Sequence, residues 1–315
     1  MTVLSDQLGH AGSADLPDTP ESKREWDVIF SLSVGWLAIL TIFIVLGSAN
    51  PLVPEIERDA DLINAQPALT NFWKDSCDPT EESCSDDDLV VGGLFGNDDR
   101  GRDVLAITVD GGRISAFIAL MVTTIGIFIG GALGLLAGYR KGRMDVLVQI
   151  FINVTLSVPA LLLVIFIVTV RGRSIWNVVF AVSVLAIPAL ARIVRASTLQ
   201  VADRDYVKAA QVLGVKKDSI LVREVLPNVM PTLVSFAFLT TGIILIAEGG
   251  LAFLGLSVES PSITWGRIIA DGQADFREAP HVVLAPSIIL FLTVLSLNLV
   301  GDKFLKRFDI RESGL

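Results

Sequence analysis

The chain has 315 residues, 52% of them hydrophobic and 19% charged, with a formal net charge of −9 and a mean hydropathy of +0.62. A water-soluble domain of this length does not average so apolar, which points to a membrane protein. Two histidines, His10 and His281, are too few for a histidine-built metal site or general base, and the negative balance argues against nucleic acid.

Residues 1–25 are polar and acidic, read as a tail without a cleavable signal. Six segments are then apolar and long enough to cross a ~30 Å hydrocarbon core: Val28–Gly47, Ile114–Gly138, Val146–Val170, Ile175–Ala191, Leu233–Leu256 and Val282–Val300. Backbone polar groups find no water there, so each is expected to be a helix and the fold all-α. The organisation expected is a first anchor over 26–47, an acidic loop over 48–113, a core of five spans over 114–304, and a second tail over 305–315.

Charge orients the chain. With both termini inside, sixteen of the 25 Lys and Arg lie on the inner side, and the short loop Tyr139–Asp145 (YRKGRMD) shows the bias most clearly. The acids concentrate in the outer loop. Cys77 and Cys84 lie in that loop as CDPTEESC; either a local disulfide or two free thiols fit an extracytoplasmic turn.

No G-x-x-x-x-G-K-[ST] loop, H-E-x-x-H or G-x-S-x-G occurs, so no catalytic residue, cofactor site or metal site is expected in this chain. The informative inner loop runs over 192–231. From Asp205 it reads DYVKAAQVLG to Gly214, with Val207, Ala210 and Leu213 at three-residue spacing on one apolar stripe. Gly214 suits a left-handed helix stop. A second amphipathic stretch, Ser219–Leu226, is expected to end at Pro227. The small Ala209 and Ala210 suit insertion into a groove on another protein, and a helix lying on the lipid surface is the alternative.

Ala209, Ala210, Gly214, Leu226 and Pro227 match A-A-x-x-x-G followed by L-P, which resembles the "EAA" coupling loop of ABC importer permeases. Lys208 stands where that pattern has a glutamate. Phe95–Leu105 (FGNDDRGRDVL), Ala247–Leu256 (AEGGLAFLGL) with Thr264–Arg267 (TWGR), and Asn298–Asp302 (NLVGD) resemble segments of the dipeptide/oligopeptide and nickel permease family, in its second-permease type.

The resemblance covers about residues 95–309 and implies a type I permease fold with both termini cytoplasmic in a bacterial or archaeal cell membrane. It implies a heterodimer with a homologous permease, with short peptides crossing between the two. An extracytoplasmic substrate-binding protein would deliver cargo, and two separate ATPases holding ATP and Mg would be gripped through Asp205, Tyr206, Lys208, Ala209, Ala210, Gly214, Leu226 and Pro227. Nickel or another small solute is the alternative cargo, and a non-transporting membrane scaffold the alternative class.

Three further groups stand out. Gly126, Gly130, Gly134 and Gly138 form a small-residue stripe for close helix packing, within the subunit or against the partner. Glu248 sits within a span, costing on the order of 3 kcal/mol if it faced lipid, so it is expected to line a pathway or gate or to bond between helices. The run Glu248-Gly-Gly suggests locally irregular backbone. Trp265 and Arg267 are expected to cap the pathway or to anchor at the interface; Asp98, Asp99, Arg100, Arg102 and Asp103 read by themselves as a solvated surface, and the resemblance implies instead a structured outer contact.

Overall fold

The computed structural model describes residues 20–46, 63–68, 93–259 and 261–312. Cys77, Cys84 and residues 1–19 lie outside them. All regular structure among the described residues is helical: α1 (Pro20–Leu46), α2 (Val104–Ile125), α3 (Gly131–Arg140), α4 (Gly142–Ser157), α5 (Ala160–Arg171), α6 (Ile175–Ala202), α7 (Asp205–Val212), α8 (Lys217–Ile220), α9 (Leu226–Phe253), α10 (Trp265–Asp271) and α11 (Pro280–Glu312). Five rods are long and apolar enough to cross a membrane, and the pair α4–α5 supplies a sixth only as a broken span.

The helices depart from the six expected spans at informative places. The second rod starts at Val104, ten residues inside the expected loop 48–113, because Asp103 caps it: Oδ1 accepts from Ala106 N at 3.0 Å. It then runs to Arg140 through a π turn at Gly126–Gly130. Asp103→Ala should cost about 1 kcal/mol, read as a lower thermal midpoint of the purified protein.

The expected span Val146–Val170 is not one helix. α4 and α5 meet at 83°. Pro159 has no N–H, and Val158 before it is extended at φ −80°, ψ 132°, as a residue preceding proline prefers. By contrast Pro188 does not shorten the fourth rod, which continues past the expected Ala191 to Ala202.

Nor does the inner stretch end at Pro227. α8, a π turn at Leu221–Val225 and α9 form one rod over Lys217–Phe253. The π turn shifts the hydrogen-bond register just before Pro227, and Asn228 Nδ2 donates to the carbonyl of Glu224 at 2.6 Å. The expected loop 192–231 therefore shrinks to residues 203–216 between long helices and the short α7.

The interior forms two large apolar clusters and a small third one, where Val148 and Ile152 of α4 meet Ala137 and Ala191. Near α10, Ile107, Ile118, Val122, Val178, Val182, Ile244, Leu251 and Trp265 pack together. Near α7, Val194, Val201, Val207, Ile220, Val225 and Val229 form a second core. α1 packs on the rim of the first core through Leu37, Leu40 and Ile44, while Leu32 and Val45 on its other side are largely exposed. It is held to α11 by Trp36 Nε1–H donating to Thr293 Oγ1 (3.2 Å) and by Lys303 Nζ over the Phe30 ring (4.3 Å).

Candidate functional site: the α7 segment and the Glu248 network

α7 begins at Asp205 and is pinned by one side chain. Val207 is fully buried among Val201, Ala202 and Ile220. Its C-terminus is closed by two bonds: Gly214 N donates to the Gln211 carbonyl and Val215 N to the Ala210 carbonyl, each at 3.1 Å. This is a Schellman closure with Gly214 at φ +77° in the left-handed region. Open space surrounds the position where a Gly214 Cβ would sit, so strain alone selects glycine there.

The expected apolar stripe holds for Val207 and, half-buried, for Ala210, but not for Leu213. Leu213 is 81% exposed and Val212 88% exposed, because the closure turns the chain away from the core. Lys208 and Ala209 are exposed, Tyr206 is 43% exposed, Leu226 half-buried and Pro227 exposed. The free face of α7 thus shows small residues and two uncovered aliphatic side chains at its tip. Arg140 (3.0 Å to Asp218) and Lys141 (3.1 Å to Asp203) brace the segment against the end of α3; both pairs are exposed, so each contributes little.

At the opposite end of the bundle, Glu248 is buried within the chain and does not unwind its helix. It is 2% exposed, and α9 runs on regularly to Phe253. Its Oε1 accepts from Ser257 Oγ at 2.5 Å and Thr264 Oγ1 at 2.7 Å. Thr264 Oγ1 in turn accepts from Arg267 N at 3.2 Å and so caps α10. The adjacent glycines serve packing instead of irregularity: a Cβ on Gly266 would lie 2.5 Å from Gly249 Cα, so α9 and α10 touch backbone to backbone.

Trp265, expected at a pathway mouth or lipid interface, is 2% exposed. Its backbone N–H donates to Ser115 Oγ (3.0 Å) and its indole N–H to the Thr108 carbonyl (2.8 Å), tying α10 to α2. Arg267 pairs with Asp271 one turn on at 2.8 Å and is one-third exposed. Glu248 is thus a latch that joins α9, α10 and, through Trp265, α2. Glu248→Ala would strand two buried hydroxyls and leave a cavity; it should destabilise by about 3 kcal/mol. Glu248→Gln, whose amide oxygen still accepts from both hydroxyls, should cost clearly less in the same thermal melt. Equal losses would refute the latch.

Beside it, residues 93–103 fold into a compact turn. The carboxylate of Asp98, 2% exposed, accepts from the N–H of Arg100 (3.0 Å) and of Arg102 (2.8 Å) and pairs with the Arg102 guanidinium at 2.6 Å. Burial, then the Asp98 charge, lifts the Asp99 carboxyl above its ordinary value. His281 Nε2 lies 3.0 Å from the Asn97 carbonyl, so that nitrogen carries the proton, and the turn docks on the start of α11.

The glycine stripe packs within the chain. Built Cβ atoms at Gly126, Gly130, Gly134 and Gly138 would strike Leu190, Ile187, Ala191 and Thr198, all on α6. Sequence reasoning missed Ser257, Thr264, Thr108 and Ser115, whose hydroxyls and carbonyls carry no signal until α10 is docked. It also missed the Asp145–Arg195 pair, whose members are 50 residues apart.

The family described as the binding-protein-dependent transport system inner membrane component matches residues 130–313. The glutathione transport system permease protein GsiD of Pectobacterium atrosepticum is 38% identical over 208 residues, 66% of this chain and 69% of that protein. The oligopeptide transport system permease protein OppC of Haemophilus influenzae is 34% identical over 219 residues, 70% of each chain. Among solved structures, the inward-facing MetNI methionine ABC transporter superposes with a TM-score of 0.53 at 19% identity, covering 64% of this chain and 96% of that one, which speaks to the fold alone. The bundle, the half-exposed helix between long rods and these likenesses define an integral membrane permease subunit. The chain belongs to the binding-protein-dependent transport system inner membrane component family.

Proposed function

We propose that this chain forms half of the translocation pathway of an ATP-driven importer for short peptides. A homologous permease would supply the other half, and two separate ATPases would bind ATP and Mg and act on the α7 segment. The single observation that carries the reading is α7 itself: a helix pinned by Val207 whose free face presents Ala209, Val212 and Leu213 uncovered. Uncovered aliphatic side chains on a small-residue helix suit insertion into an apolar groove. Closing ATPases would then displace α7 and, with it, the rods on either side.

The bias of Lys and Arg toward the α3–α4 and α6–α8 connections supports a cytoplasmic α7 and cytoplasmic termini. The cell membrane is the corresponding location, with an extracytoplasmic binding protein delivering cargo at the α10 end. The names of the relatives support peptides, glutathione among them, as cargo. The test is ATP hydrolysis by the complex co-purified through this chain, reconstituted with its binding protein, with and without tri-alanine or glutathione. Peptide-stimulated hydrolysis is expected; a co-purified ATPase indifferent to both would move the cargo to another solute, and absence of any ATPase would sink the reading.

A further inference from the structure

Asp145, in the first turn of α4, and Arg195, on α6, form a two-pronged ion pair. Arg195 Nε reaches Oδ1 at 2.5 Å and its terminal nitrogen reaches Oδ2 at 2.8 Å. The side chains are only 17% and 23% exposed, and Gln149 Nε2 donates to Oδ2 at 3.0 Å, fixing the carboxylate's orientation. It joins two different helices, α4 and α6, and is far less exposed than the Arg140–Asp218 and Lys141–Asp203 pairs.

Its position matters more than its strength. Seven residues past Arg195, α6 ends at Ala202 and hands the chain to α7, so Arg195 belongs to the unit that α7 would move. Asp145 opens the arm that bends by 83° at Pro159. α5 is seated in the core near α10 by Val164 and Val168, whereas α4 otherwise rests on α3 and α6 through Val148 and Ile152 against Ala137 and Ala191, with Leu133 and Leu156 beside them, and through an exposed hydrogen bond from Arg192 to Asn153 Oδ1 (3.3 Å). Val146, Leu147, Ile150 and Val154 on α4 stay exposed. Small apolar faces slide over one another at little cost; a bidentate guanidinium–carboxylate pair keeps register only if the helices move together.

We propose that Asp145–Arg195 is the positioning contact through which movement of the α6–α7 unit is passed to the bent α4–α5 arm. The proposal rests on the importer reading above. Loss of the pair should therefore uncouple hydrolysis from transport more than it weakens the fold.

The test uses the whole complex in proteoliposomes with its binding protein and tri-alanine, reading ATP consumed per peptide taken up. Asp145→Asn and Arg195→Gln should each assemble, keep unstimulated hydrolysis, and raise that ratio about threefold or more. The double variant should be no worse than either single one, because both remove the same contact. Arg195→Lys, which keeps charge but not the fork, should fall between. Wild-type ratios in the single variants, or effects that multiply in the double, would overturn the proposal. So would an Arg195→Gln chain that fails to assemble beside an Arg195→Lys chain that couples like wild type, since the pair would then only support the fold. A wild-type complex without peptide-stimulated hydrolysis would count instead against the importer reading.

Discussion

Replacing Val212 and Leu213 together by serine should release the ATPases while leaving the permease folded. The two side chains are 88% and 81% exposed, so the folded chain loses almost no packing with them; stability should change by less than about 0.5 kcal/mol. If they fill a groove on an ATPase, each is an apolar anchor whose loss costs about 2 kcal/mol of binding, and the pair should together weaken association by a factor of about 1,000. The measurement is the amount of ATPase retained when the complex is purified through this chain, beside the thermal midpoint of the permease alone. Full retention at unchanged midpoint would remove α7 from the coupling interface. Val207→Ser is the contrasting variant: it buries a hydroxyl in the core near α7 and should lower the midpoint first.

The second large effect is steric. A Cβ on Gly134 would lie 2.5 Å from the Ala191 carbonyl oxygen and 2.9 Å from both Arg195 N and Val194 Cβ. Two of those three atoms are backbone, which cannot swing aside. Gly134→Val should force α3 and α6 apart and cost about 3 kcal/mol or more, with low recovery from the membrane. Gly250→Ala is the matched opposite. It is helical, and nothing lies within 4 Å of the added Cβ, so replacement should be neutral or stabilising by up to about 1 kcal/mol. Thermal unfolding of both variants reads the sign directly. Equal behaviour would mean that the α3–α6 contact is not rigid.

Several features were legible in the chain because they are local. Apolar runs of about 20 residues name the rods, since a helix satisfies its backbone hydrogen bonds within one segment in hydrocarbon. Gly214 marks the end of α7 through its left-handed backbone, and its effect needs no distant partner. Prolines were harder to read. Pro159 breaks a span, whereas Pro188, Pro227 and Pro231 ride inside helices. The residue type is the same; what differs is whether neighbouring helices hold the rod straight, or a π turn absorbs the missing bond, and neither is a property of the local sequence.

Glu248 shows the same division at the level of a site. A carboxylate within an apolar span had to find polar company, and the chain alone established that much. Which company was decided by α10: Thr264, sixteen residues away, and Ser257 close over it, while Gly249 and Gly266 let the helices touch. The chain by itself thus determined a helical membrane permease with an exposed, glycine-stopped helix between two long rods. Only the tertiary structure decided that Glu248 is a latch, that Trp265 is buried, that the glycine stripe packs against α6, and that Asp145 meets Arg195. Each of those depends on helices brought together across tens of residues, and hydrogen-bond direction and atomic clearance exist only after they meet.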